Sequence, residues 1–411
     1  MSSTVTATRT GPAAAGAGLR RRVLITLCLT EITSWGILYY AFPVLSVSIS
    51  ADTGWSLPML TAAFSLSQLA AALTGIPVGR VLDRVGPRSV MTAGSVLAVP
   101  ALVVVALAPN PPVFFLGWLA AGVAMGAVLY PPAFAALTRW FGTEHVKALM
   151  ILTLAGGLAS TVFAPLTAVL VERTDWRATY LVLAVVLTVV TVPGHLFGLT
   201  GAWPPAPAPA TRHDDDHRAI ARSPAFLALV TALSLGAFAA FAAVFNLVPL
   251  LIERGFSPAA AALTLGLGGI GQVLGRLGYL PLMTRTTPAV RIVGAFAVTA
   301  LATALLGWVT TVFALVAVSV GAGLIRGIMT LVQATAITDR WGATHYGRLN
   351  GLLSAPVVIV MATAPFAGTA LMSWTGTWSG TYLVLAAIAA LAALIAVGSV
   401  PRTRRFLSGV G

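Results

Sequence analysis

The sequence predicts an all-α membrane protein: twelve transmembrane helices arranged as two pseudo-symmetric six-helix bundles. Three observations carry that expectation: a composition too apolar for water, twelve apolar runs of spanning length, and an internal repeat. Of 411 residues, 58% are hydrophobic and 9% charged, against about a quarter charged in soluble domains. A helix needs about 20 apolar residues to cross a bilayer. Such runs fall at 23–49, 57–79, 89–109, 112–137, 148–171, 177–200, 224–252, 259–283, 289–308, 312–337, 348–372 and 378–400. The first is expected to stay in place as a helix, because it runs past the roughly 7–15-residue core of a signal peptide into Tyr39-Tyr40-Ala41-Phe42-Pro43.

The repeat is read from short matches. Arg139-Trp140 matches Arg340-Trp341, Ala164-Pro165 matches Ala364-Pro365, and the Tyr180–Ala184 run matches Tyr382–Ala386, at offsets of 201, 200 and 202. A near-constant offset over more than forty residues points to duplication of a six-helix unit. Between the halves, Trp203-Pro204-Pro205 and the Pro-Ala alternation after it, followed by Arg212-His213-Asp214-Asp215-Asp216-His217, read as an extended linker. The expected organisation is a disordered N-terminal segment 1–22, bundles 23–200 and 224–400, a linker 201–223 and a tail 401–411. The His and Asp run lacks spaced metal ligands, so no metal and no cofactor are expected. Cys28 is the single cysteine, which excludes an internal disulfide.

The net charge of +13 would suit a nucleic-acid binder if it were spread over a soluble surface, but its placement points elsewhere. With both termini cytoplasmic, nineteen of the 24 Arg and Lys fall in cytoplasmic segments, three (Arg173, Arg177, Arg254) in external loops and two inside spans. This is the positive-inside bias. The expected setting is therefore a multi-pass protein of the cell membrane whose basic face meets anionic lipid, with no nucleic-acid partner.

After the second span comes Gly79-Arg80-Val81-Leu82-Asp83-Arg84-Val85-Gly86-Pro87-Arg88. It resembles the signature loop G-x-L-x-D-R-x-G-R-(K/R) of the major facilitator superfamily, with Pro87 where the family has a basic residue. The resemblance implies the major facilitator fold and a secondary transporter rather than an enzyme. Gly79 and Gly86 are expected to allow tight turning. Asp83, Arg84 and Arg88 are expected to form, with them, a latch that holds one conformer. After Met283 the second half has Arg285-Thr286-Thr287-Pro288 and no acid at the matching place, so the latch is expected to be asymmetric. A literal G-x-G-x-x-G at Gly266, Gly268 and Gly271 has no strand before it and reads as small residues for helix packing, as does Gly323 to Gly327.

Three ionisable residues lie well inside spans: Glu31, Arg276 and Arg326. Each costs at least about 2.5–3.5 kcal/mol at mid-helix on the insertion scale, so each is expected to have a compensating role. Aligning Gln272 with Gln68 places Arg276 opposite Ala72, roughly 10 Å from the cytoplasmic loop, and Arg326 roughly 20 Å from Asp339, near the midplane. A guanidinium there can hold a carboxylate by two parallel hydrogen bonds. The expected substrate is a small organic anion held by Arg276, Arg326 and Gln272, with Tyr39, Tyr40, Tyr130 and Trp35 offering OH and NH groups. The competing roles are a structural tie from an arginine to Glu31 or to helix carbonyls, and packing for the rings. Glu31, the one acid inside a span, is expected to couple transport to protons, or to act as counter-ion to an arginine.

Tyr40-Ala41-Phe42-Pro43 resembles the Y-A-F-P-K pattern of monocarboxylate transporters. Gly54-Trp55-Ser56, Arg139-Trp140-Phe141 and Asp175-Trp176-Arg177 resemble the related oxalate/formate exchangers. Arg276 stands where that group has its helix-eight arginine, but Gln272 replaces the acid four residues earlier and Val44 replaces the helix-one lysine. The resemblance therefore implies binding of an anion of the monocarboxylate class, without that group's lysine and aspartate proton mechanism. The competing class is a proton-coupled exporter of drugs or metalloids. Such exporters carry G-P-x-x-G-G in helix five, where this chain has Ala164-Pro165-Leu166-Thr167-Ala168-Val169. The chain is expected to act as a monomer.

Overall fold

A computed structural model describes residues 16–203, 216–342 and 346–400. The segment 1–15, most of the linker (204–215) and the tail 401–411 lie outside the described residues. Among the described residues, twelve helices are long and apolar enough to cross a membrane. They are α1 (Ala17–Thr53), α2 (Leu57–Val85), α3 (Pro87–Ala106), α4 (Pro111–Phe141), α5 (His145–Arg173), α6 (Trp176–Gly198), α7 (Pro224–Phe245), α8 (Pro258–Leu277), α9 (Pro288–Trp308), α10 (Val312–Thr335), α11 (Leu349–Thr375) and α12 (Trp378–Val397). An even number of crossings puts the start of α1 and the end of α12 on one side, called here the terminal face.

Their starts follow ordinary capping chemistry. Ser56, Asn110, Asp175, Ser223, Ser257, Thr287 and Thr377 each accept a hydrogen bond from a backbone N–H of the first turn, and a proline follows directly or within two residues at several of them. Gly54 and Gly255 turn the chain after α1 and after the Leu247–Glu253 extension of α7 at φ +72° and +87°.

The helix pairings repeat between the halves. α3 packs on α4 and α6 as α9 packs on α10 and α12, α2 packs on α4 as α8 packs on α10, and α1 packs on α5 and α6 as α7 packs on α11 and α12. The backbone register is given by close approaches that only glycine allows. A Cβ on Gly122 would strike the Ser67 carbonyl and one on Gly126 the Ala71 carbonyl. One on Gly323 would strike the Gly268 carbonyl and one on Gly327 the Gln272 carbonyl. All four residue pairs are offset by 201. Gln272 is therefore opposite Ala71, not Gln68, and Arg276 is opposite Gly75, three residues nearer the terminal face than Ala72, although α2 runs on to Val85, roughly 15 Å beyond Gly75.

The halves meet along α2 with α11 and α5 with α8. Thr61 and Thr369 hydroxyls bond at 2.6 Å, and the Phe366 N–H donates to Ser65 Oγ at 3.2 Å. Both contacts sit in the end of α2 away from the terminal face. Leu60, Ala63 and Phe64 are buried there, whereas Leu73 and Ile76, nearer the terminal face, are 70% and 60% exposed.

Candidate functional site

Prolines place the aromatic side chains of the central site. Pro43 has no N–H and crowds the carbonyl of Tyr39 four residues back, and the preceding turn, Gly36–Tyr40, widens into a π-helix. Tyr39 and Tyr40 stand on that turn, with ring centroids 5.2 Å apart. In α4, Pro131 and Pro132 leave Leu129 extended, so the helix stops at Val128 and restarts at Tyr130. The Tyr130 ring packs on Trp35 at 5.1 Å, and Trp35 packs on Tyr39 at 5.4 Å.

The two arginines approach these rings from the other half. Arg276 and Arg326 are 8% and 9% exposed, and neither belongs to an ion pair among the described residues. Tyr130 lies within electrostatic reach of Arg276, Glu31 and Tyr40, and Arg326 within reach of Tyr40, Tyr39 and Arg276. Gly156 and Gly157 of α5 make the room: a Cβ on the first would strike the Tyr130 hydroxyl, and one on the second would lie 3.0 Å from Arg276 Nη1. That nitrogen donates to the Thr153 carbonyl, which ties α8 to α5. Its Nε, and the Nε and Nη2 of Arg326, are buried without a hydrogen bond.

Glu31 is fully buried one turn before Trp35. Both carboxyl oxygens and the Trp35 indole N–H lack a hydrogen bond, although the two side chains lie close enough to interact. The expected tie between an arginine and Glu31 is thus not formed, whereas the tie to a helix carbonyl is, at Arg276. Gln272 is buried with its main-chain carbonyl against Gly327, and no hydrogen bond of its side chain joins it to the cluster. The structure therefore brings Glu31, Trp35, Tyr39, Tyr40, Tyr130, Arg276 and Arg326 into one group built from α1, α4, α8 and α10.

The sequence profile of the Major Facilitator Superfamily matches residues 27–333. The chain belongs to that superfamily. It is a membrane transporter and not an enzyme. Human monocarboxylate transporter 11 is 30% identical over 271 residues, covering 61% of this chain and 55% of that protein. Bovine monocarboxylate transporter 13 is 26% identical over 252 residues, covering 60% of this chain and 56% of that protein. The match thus spans little more than half the length of these relatives. The crystal structure of a bacterial homologue of the human lysosomal transporter Spinster, inward-facing and unoccupied, superposes with a TM-score of 0.76 at 13% identity, covering 94% of this chain and 98% of that one. That likeness concerns the fold.

The superfamily signature lies apart from the central group, at the terminal face, and differs from expectation in two ways. Gly79 is not at a turn: α2 continues through Val85, and a Cβ on Gly79 would meet nothing within 4 Å. Gly86 alone turns the chain, at φ +83°. Asp83 pairs with Arg139 at the end of α4, so its tie lies within the first half. The Arg139 guanidinium also stacks 4.5 Å from the Trp203 ring, whose indole N–H donates to the Asp83 carbonyl at 3.2 Å. Arg88 donates to the Leu196 carbonyl of α6 at 2.8 Å, and Arg84 is exposed.

The second half has a tie of its own that the sequence reading missed. Arg291, at the start of α9, pairs with Asp339 beyond α10 at 2.6 Å and also donates to the carbonyls of Met283 and Thr286 at 3.1 and 2.9 Å. The acid has moved to the α10 side, the counterpart of α4, and the base stands at the start of α9, the counterpart of α3. A search for an acid at the same repeat position passes over such a move. Gly156-Gly157 did leave a signal, because each glycine in a helix interior costs roughly 0.5–1 kcal/mol relative to alanine and two in succession ask for a reason.

Proposed function

We propose that this transporter moves small organic anions of the monocarboxylate class across the cell membrane by alternating access, with proton coupling through Glu31. One observation carries the reading: two buried guanidinium groups of the second half face tyrosines of the first, and no acid among the described residues pairs with either. An uncompensated charge of that kind in an apolar bundle calls for an anion. Arg276 and Arg326 would hold the carboxylate, with Tyr39, Tyr40 and Tyr130 as hydroxyl partners and Gln272 behind them. The likeness to monocarboxylate transporters supports the same class.

In this reading residues 23–200 and 224–400 move as two rigid halves of a monomer. The terminal face is cytoplasmic, as the positive-inside tally supports, and the contacts of α2 with α11 close the external side. Gly86, Asp83, Arg84 and Arg88 hold the cytoplasmic end of the first half as one piece, and Gly79 takes no part.

Uptake of radiolabelled short-chain monocarboxylates into proteoliposomes tests the reading. Saturable uptake, mutually competed by related acids, is expected, with Arg276→Gln lowering kcat/KM by at least about 30-fold. If no carboxylate is transported or bound while cationic or neutral drugs are, the exporter class replaces it. With an imposed pH gradient, Glu31→Gln is expected to abolish gradient-driven accumulation while leaving exchange across equal pH. Unchanged accumulation would remove Glu31 from the coupling.

A further inference from the structure

We propose that the second half contains a further small-anion position inside its own bundle, between α7, α8, α9 and α10, which shares Arg326 with the central group and takes Thr303 as its second donor. The inference does not require that the transported substrate be a carboxylate. A cavity lies there, lined by Ala243, Gly268, Thr299, Thr303, Ser319 and Arg326 among others, with room for about one or two water-sized groups.

Its donors fit an anion. Arg326 is a buried cation lining the cavity, and its Nε and Nη2 hydrogens have no acceptor. Thr299 and Ser319 give their hydroxyl protons to the Ala295 and Leu315 carbonyls at 2.8 and 2.7 Å. The Thr303 hydroxyl makes no such bond and completes the donor set with the two guanidinium nitrogens. Water alone would satisfy these hydrogen bonds but not the charge, and a buried guanidinium without a counter-charge is costly. The ligand class is a monovalent anion of a few atoms, either a free halide or the carboxylate head of an organic acid.

The repeat shows that the space is particular to the second half. At the offset of 201, Ala243, Leu265, Thr303, Ser319 and Arg326 correspond to Phe42, Phe64, Leu102, Trp118 and Met125. In the first half those side chains fill the matching volume: Phe42, Phe64 and Trp118 stack with centroids 4.8, 5.0 and 5.1 Å apart, and all are fully buried. Rings, a leucine and a methionine occupy the place of a cavity, two hydroxyls and an arginine. The volume can therefore be closed by apolar side chains on this same backbone, and the second half keeps it open, with mostly apolar walls interrupted by Thr299, Thr303, Ser319 and Arg326.

The test is thermal unfolding of the purified full-length protein, titrated separately with sodium bromide and sodium formate against sodium sulfate of equal ionic strength. Binding to the folded state raises the apparent Tm by mass action. A saturable rise with at least one of the two monovalent anions is expected for the wild type, and it persists with a changed midpoint in Arg276→Gln, whose side chain belongs to the central group and does not line the chamber. Thr303→Leu, which fills the chamber with Arg326 in place, and Arg326→Met are each expected to raise the half-saturating concentration about tenfold or more. A response to bromide as well as formate marks a free-anion site, and a response to formate alone marks a carboxylate site. No stabilisation of the wild type, an undiminished response in Thr303→Leu, or loss of the response in Arg276→Gln would each overturn the proposal. None of these readings depends on whether monocarboxylate uptake is observed.

Discussion

The space between α1, α2, α3 and α4 and the space between α7, α8, α9 and α10 are built on one backbone plan and filled in opposite ways. The first is packed with Tyr39, Phe42, Phe64 and Trp118, and Phe245 of the second half adds its ring 4.7 Å from Phe64. The second keeps Gly268, Thr299, Thr303 and Ser319 around a cavity with a buried arginine. Duplication fixed what the backbone requires, namely the glycines at the helix crossings and the caps at Ser56 and Ser257. The filling was free to diverge. The first half became an apolar block that presents tyrosines and one acid, and the second became the carrier of positive charge. In the proposed reading the anion is gripped between two bodies, and this division means that neither body alone completes the central site.

The comparison breaks first at its largest side chain. Trp118→Ser gives the first half the residue its repeat partner carries, and it empties a fully buried ring stack. A loss of about 3–5 kcal/mol is expected, as for other buried large-to-small changes. Ser319→Ala removes only a hydroxyl bonded to its own helix and is expected to change stability by less than about 1 kcal/mol. Denaturation of both variants in the same detergent compares them. Equal losses would mean that the aromatic block is not the more rigid of the two fillings.

The glycine crossings give a sharper and smaller test, because here the halves are expected to behave alike. Gly122→Ala and Gly323→Ala each drive a methyl group into a main-chain carbonyl of the neighbouring helix. Backbone cannot yield as a side-chain tip does, so each is expected to cost roughly 1–3 kcal/mol, with the two values within about 1 kcal/mol of each other. A large difference in Tm between the two variants would show that the common register does not extend to common tightness.

How much of this was legible in the sequence depended on whether the signal was local. Spans and the duplication are periodic features, and they were readable. Helix ends are less so: α2 runs six residues beyond the expected 79, because a glycine inside a helix has no obligation to break it. The in-span residues Glu31, Arg276 and Arg326 were legible because any charge in a membrane segment is costly. Their assembly with Tyr39, Tyr40 and Tyr130 was only partly so, since it rests on a π-turn forced by Pro43 and a break forced by Pro131 and Pro132. The chamber was not legible at all. Its walls are mostly apolar residues whose meaning appears only when the repeat register is known, and in α8 the alignment of the two glutamines departs by three residues from the offset of 201 at the helix crossings.

The smallest expected effect separates the two terminal-face ties. Asp83 and Arg139 pair at the water-facing edge, with the Asp83 side chain 56% exposed, whereas the Asp339 side chain is 21% exposed and Arg291 only 5%. Exposed ion pairs contribute about 0–1 kcal/mol, and breaking a buried one costs more because a charge is left without its partner. Asp83→Asn is therefore expected to lower stability by less than about 1 kcal/mol, and Asp339→Asn by about 1–3 kcal/mol, the guanidinium of Arg291 keeping its two carbonyl acceptors in the second case. The functional consequence runs the other way. Asp83 sits in the superfamily signature, and its carboxylate pairs with the Arg139 guanidinium that stacks on Trp203 at the entry to the linker, so its substitution is expected to change transport rate more than melting temperature. Comparing Tm with initial uptake rate for the two variants decides it: if both properties fall together in both, the ties are equivalent struts and the asymmetry between the halves ends at the membrane core.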